Sequence, residues 1–188
     1  MRAVLDTGAQ DTFITISALE GGNWKSAKTK VSIGNFSQNP ETGTNMNKRF
    51  QIEVQGLHNT TTLTIYPLGV EHMAGIIYQP PVPLSLQNKI CKFNPLADPE
   101  AFSIAPSTLE FQLIIGNDMV NAIYGSIVHR FTSTFVIKNS IFGNIFSGPI
   151  PDNNGIRKTC LSIFTLQGKQ ATECVQVLST EHDHHFEN

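Results

Sequence analysis

Short apolar runs rich in Val, Ile, Thr and Phe, punctuated by Gly, Asn and Pro, recur along the whole chain. β-branched and aromatic residues in runs of this length predict strands, over 2–6, 12–17, 29–36, 49–56, 61–67, 109–115, 133–138, 141–146 and 160–166. The segment "KRFQIEVQG" alternates cleanly, with Phe50, Ile52 and Val54 on one face and polar residues between them, as a half-buried strand requires. "HNTTTLTIYPL" resumes the alternation after a turn at 56–59, so residues 48–67 are predicted to form a hairpin.

Helical periodicity is sparse. Met119, Val120, Ile123 and Tyr124 share helical spacing, with Asn117 placed to cap the start and Gly125 to stop the end, which predicts a helix of about two turns. Residues 79–108 carry "QPPVP", "NPLADPE" and "APS", and read as a long loop or an insertion holding one short helix near 84–91. No internal repeat is present, and the closing "STEHDHHFEN" is polar and expected to fray.

Composition narrows the classes. A chain of 188 residues can bury one core and is expected to form a single domain or one with an appendage. Thirteen Lys and Arg against 15 Asp and Glu give a net charge of -2, with no basic field for nucleic acid or an anionic membrane. No apolar run reaches the roughly 20 residues of a membrane span, and the first residues lack a secretory pattern, so an intracellular, cytoplasmic protein is expected. Cys91, Cys160 and Cys174 have neither CxxC spacing nor an even count, which fits free, buried thiols in a reducing compartment. The triplets Asn35-Phe36-Ser37 and Asn59-Thr60-Thr61 would matter only in a secreted chain. His182, Asp183, His184 and His185 carry metal donors, but neighbours on a polar tail read as a solvated run, and no metal or cofactor is expected. His58, His72 and His129 stand apart from any nucleophile motif.

The stretch "AVLDTGAQDTFI" sets Asp6-Thr7-Gly8 between two apolar runs, where a glycine lets the backbone bend and a strand-end turn can mount chemistry. Taken alone, the tripeptide reads first as an ordinary turn, since Asp and Gly are favoured turn residues. A second pattern lies about a hundred residues on: "FQLIIGND" is an apolar strand ending in Ile114-Ile115-Gly116 and leading into the predicted helix. The two together resemble the retropepsin-like aspartic proteases of retroviruses and retrotransposons. The order "PLADPEAF", "LEFQLIIGNDMVNAIYG", "NSIFGNIFSGPIP" over 96–149 is similar to the run found in BEL/Pao-type retrotransposon polyproteins.

That resemblance implies a mostly β, retropepsin-like half-barrel with one short helix after the second apolar-Gly strand, spanning 1–149 with an insertion at about 79–108. Residues 150–188 would form a C-terminal extension, partly β, with a polar tail. Asp6 would be catalytic, Thr7, Gly8 and Ala9 would complete the active-site turn, and Ile114, Ile115 and Gly116 would thread beside it. A flap would fall within 29–56, with Gly34 as its mobile residue. The family places a terminal strand and a hairpin arm before the turn, and with only five residues ahead of Asp6 those N-terminal strands are expected to be missing.

Asp11, Asp98, Asp118, Asp152 and Asp183 lie in unlike contexts, so one Asp turn per chain implies a homodimer with an Asp6 from each subunit. Two carboxylates held together share a proton and activate water against a peptide carbonyl. The implied substrate is a polypeptide, the retroelement's own polyprotein. The competing reading is a catalytically inactive remnant, or the same fold turned to binding or structure.

Overall fold

The apolar run ahead of Asp6 forms strand β1 (Arg2–Leu5), and the run behind it forms β2 (Phe13–Thr15). The computed structural model describes residues 1–31, 45–73, 76–79, 82–93, 95–102, 107–150, 158–160 and 162–169. A 3-10 turn at Ile16–Leu19 follows, then β3 (Ser26–Val31), β4 (Asn45–Phe50), β5 (Ile52–Gly56), β6 (Thr62–Ile65) and β7 (Leu68–Val70). β8 (Ile76–Gln79), helix α1 (Leu84–Ile90), β9 (Ser107–Glu110), β10 (Leu113–Ile115) and the single-turn helix α2 (Val120–Ile123) come next. Next among the described residues are β11 (Tyr124–Arg130), β12 (Val136–Ser140), β13 (Ile145–Ile150), β14 (Lys158–Cys160) and β15 (Ser162–Lys169). The molecule is mostly β, as the sequence predicts.

Nine strands form the main sheet in the order β3-β4-β7-β2-β10-β1-β15-β5-β6. The order is linear, yet the chain passes from β4 near one end to β5 near the other through Gln51 alone. It returns from β6 to β7 across Tyr66 and Pro67. One bent hairpin therefore ties the two ends of the sheet and curls it over the core. The bend is fixed by backbone bonds from Phe50 N–H to Pro67 O (2.9 Å) and Gln51 N–H to Lys25 O (2.9 Å). Inward positions alternate as the pattern requires: Ile52, Val54 and Ile65 are fully buried beside Ile14, Leu113 and Ile115. Each such side chain contributes about 1.5–3 kcal/mol of burial.

A second apolar cluster lies under the four-stranded sheet β11-β12-β13-β14, where Leu86 and Ile90 of α1 pack with Phe135, Ile137, Phe146 and Ile150. The described parts of the Pro-rich segment form an excursion that packs back on the fold: Gln79 pairs with Ser107 in the β8-β9 ribbon, and Leu86 and Ile90 enter the second cluster. Its "LADP" turn docks on the β12-β13 hairpin through Asn144 N–H to Pro95 O (2.9 Å) and Ala97 N–H to Asn144 O (2.9 Å). Gly143 makes this approach feasible. Its φ is +122°, and a Cβ there would sit 3.1 Å from the backbone of both Pro95 and Ala97.

Asp98 from the same turn has a side chain only 1% exposed and accepts a 2.6 Å bond from Arg2 Nε, tying the excursion to β1. Burial works to lower the Arg2 pKa, but the hydrogen bond and charge of Asp98, followed by those of Glu100, outweigh it and hold the guanidinium above its usual value.

The structure departs from the sequence-based expectations in places. Met119 rather than Asn117 caps α2, without a side-chain cap bond, and Gly125 lies inside β11 rather than ending a two-turn helix. The backbone around 117–118 is engaged by the Asp6 segment, which leaves only one turn free to wind. Cys91 closes α1 and is exposed, not buried, because the buried stripe of that helix runs through Leu86 and Ile90. β15 enters the main sheet, pairing through Ser162–Thr165 with β1 and through Leu166–Lys169 with β5. Among the described residues, no helix is long and apolar enough to cross a membrane.

Candidate active site

Asp6 sits at the carboxyl end of β1, where the chain leaves the sheet in a tight turn. Ala9 N–H closes the turn on Asp6 O at 3.2 Å, and Gly8 N–H donates to Asp6 Oδ1 at 2.9 Å. Asp6, Thr7 and Gly8 are exposed and Ala9 is half-buried, so the carboxylate stands outside the core at the mouth of the turn.

The second apolar run is threaded against this turn. β10 lies parallel to β1, with Ala3, Val4 and Leu5 opposite Leu113, Ile114 and Ile115, and antiparallel to β2 on its other side. It therefore passes between the strands that enter and leave the Asp6 turn. Beyond its end the backbone bonds continue: Asp6 N–H to Ile115 O (3.0 Å), Asn117 N–H to Ala9 O (2.8 Å) and Asp118 N–H to Gln10 O (3.2 Å). Gly116 is buried at the crossing. A Cβ there would lie 2.3 Å from Asp11 O and 2.5 Å from Asp11 C, so only glycine lets the two backbones approach this closely.

Thr12 locks the crossing. Its fully buried hydroxyl accepts from Gly116 N–H at 3.1 Å and donates to Asp118 Oδ1 at 2.7 Å, while Thr12 N–H donates to Asp118 Oδ2 at 3.2 Å. On the far side, Arg49 of β4 reaches Asp11 Oδ1 at 2.9 Å and Tyr66 O at 2.8 Å, linking the β3-β4 hairpin to the segment after the turn.

These ties sort the carboxylates. Asp11 is paired with Arg49, Asp98 with Arg2, and Asp118 with Thr12, so each joins two parts of the fold. Asp6 alone among the described aspartates accepts only a bond from its own turn.

Comparison of the chain with family models, with curated proteins and with solved structures finds no match.

The structure brings Asp6, Thr7, Gly8 and Ala9 together with Ile114, Ile115 and Gly116, although about a hundred residues of sequence separate the groups. Gly34 and the tip of the hairpin expected as a flap lie outside the described residues, as do Asp152 and the His182–His185 run. The two arms of that hairpin are present as β3 and β4, paired from Ser26 with Phe50 to Val31 with Asn45. Among the described residues no group of three or more His, Cys, Asp or Glu is placed to hold a metal ion. Thr12, Asp118 and Arg49 are contributors that sequence reasoning missed. The Thr12–Asp118 and Asp11–Arg49 pairs lie 106 and 38 residues apart, and no local pattern marks them.

Proposed function

We propose that the chain is an aspartic endopeptidase of the retropepsin-like kind, acting on an extended polypeptide such as a retroelement polyprotein. The observation that supports it best is the passage of Leu113–Gly116 beside the Asp6 turn, whose carboxylate stands exposed and is held only by a bond from its own turn. A water-activating dyad needs two carboxylates, and among the described aspartates only Asp6 is held by no bond outside its own turn. A second copy of the chain supplies the other, with the two Asp6 turns meeting on a two-fold axis.

The chemistry follows from sharing one proton between like charges. The ionised Asp6 takes a proton from water as the oxygen adds to the scissile carbonyl carbon, and the protonated partner carboxyl donates to the carbonyl oxygen. The tetrahedral adduct then collapses, the C–N bond breaks, and the amine leaves with a proton returned from the dyad. On this reading the β3-β4 hairpin, tied by Arg49 to Asp11, would serve as the arm of a flap over the substrate.

The test is cleavage of a polyprotein segment by the full chain and by Asp6→Asn. The wild-type chain is expected to give pepstatin-sensitive products, and Asp6→Asn to lose about 10²- to 10⁴-fold in rate. Equal processing by both forms would remove Asp6 from the mechanism. No cleavage by either, with Asp6 turns paired in a stable dimer, would favour the inactive-remnant reading.

A further inference from the structure

We infer that the outer edge of β3 is a docking site for an acidic segment of another polypeptide, which adds to the main sheet as an extended strand with Asp or Glu at alternate positions. None of the residues it uses belongs to the Asp6 turn, and it stands independently of the protease reading.

The edge is open. β3 is the terminal strand of the nine-stranded sheet, and among the described residues its only strand partner is β4. In an antiparallel pair, successive residues aim their backbone N–H and C=O alternately at the partner and away from it. Every second residue of Ser26–Val31 therefore presents a donor and an acceptor outward, the template onto which an extended peptide adds.

The side chains select the strand. The ladder sets Lys28 directly opposite Lys48, and Lys30 lies on the same face two residues on. All three are exposed, neither strand contains an Asp or Glu, and none of the three forms an ion pair among the described residues. Arg49 lies on the other face and is tied to Asp11. Glu20 and Glu71 share a cavity wall with Lys48, so Lys28 and Lys30 are the cations left to a partner. A net charge of -2 over the whole chain conceals this local concentration. Like charges directly opposite on one face destabilise a hairpin, and a neighbouring strand that carries carboxylates relieves the repulsion.

The spacing fits an extended peptide. Alternate residues of an added strand rise by about 6.4–6.8 Å, the same step that separates Lys28 from Lys30, so two carboxylates meet both ammoniums at once. The same lysines turn other strands away, because a basic strand, or the β3 edge of a second copy, sets ammonium against ammonium. Nucleic acid matches the charge but leaves the backbone edge unpaired, which favours a peptide.

The probe is a blocked, fluorescein-labelled peptide alternating glutamate with threonine, titrated with the full chain at low salt and read by fluorescence anisotropy. Saturable binding is expected, weakened about 10-fold by Lys28→Gln with Lys30→Gln. Lys28→Glu with Lys30→Glu should instead prefer the lysine-threonine counterpart. Both pairs of changes lie at exposed positions and should leave circular dichroism unchanged. Methylating the backbone nitrogens of the threonines in one peptide, and of the glutamates in another, keeps the charge, and at least one of the two should lose binding. No saturable binding of the glutamate peptide would overturn the assignment, as would equal affinity for the lysine counterpart or an unchanged affinity in the glutamine variant. Undiminished binding of both methylated peptides, or tighter binding of an oligothymidylate of equal charge, would overturn the added strand.

Discussion

Replacing Gly116 with alanine is the most direct probe of the crossing between β10 and the Asp6 turn. The added methyl would sit 2.3 Å from Asp11 O and 3.1 Å from Ala9 O, and both are backbone atoms that no side-chain rotation can move away. The strands must therefore separate. Overpacking of this kind costs about 1–3 kcal/mol. Separation also loosens the bonds from Asn117 N–H to Ala9 O and Asp118 N–H to Gln10 O, each worth about 1 kcal/mol. The total is about 3–5 kcal/mol. With a urea slope of about 2 kcal/mol/M, the unfolding midpoint should fall by about 1.5–2.5 M. Gly21→Ala is the matched control. Gly21 has φ +80° but nothing within 4 Å of an added Cβ, so only the left-handed strain of about 1–2 kcal/mol applies. Equal losses in the two variants would refute the close backbone approach.

Other outcomes follow from the same contacts. Thr12→Val keeps the shape but strands the Gly116 N–H in the core, and should cost about 2–4 kcal/mol by urea denaturation, while Thr12→Ser should recover most of it. Arg2→Met leaves the buried Asp98 carboxylate without its cation and should cost about 2–4 kcal/mol. Because the Arg2 pKa is raised, its own contribution is fully present at every pH below the guanidinium's ordinary value, so it adds no slope to stability through neutral pH. Asp6→Asn, at an exposed position with one local bond, should leave stability within about 0.5 kcal/mol whatever it does to cleavage.

What could be read from the sequence was what is written locally. The alternation of Ile52 and Val54, the turn after Gly56, and the apolar runs on either side of Asp6 all became strands, because period and turn chemistry are short-range signals. β7 is only "LGV", too short to show a period, and it exists because β2 and β4 flank it. β11 was masked by Gly125, which looks like a helix stop but lies in a strand held by β12. The proximity of Asp6 to Gly116 was legible only through resemblance. Its locks were not legible at all, since Thr12 and Arg49 act through partners chosen by topology.

The strand that carries Asp6 is completed by very distant parts of the chain. Met1 pairs with Leu166 across 165 residues, and Arg2 with Gln112 across 110. The turn closes on itself locally, but the bonds that seat it against the segment 115–118 must wait for the closure of a long loop, which raises contact order and slows folding. During synthesis the Asp6 carboxylate emerges well before the strands that shape it. The turn can be seated only after those strands exist, so a partly made chain would carry the residue without its geometry.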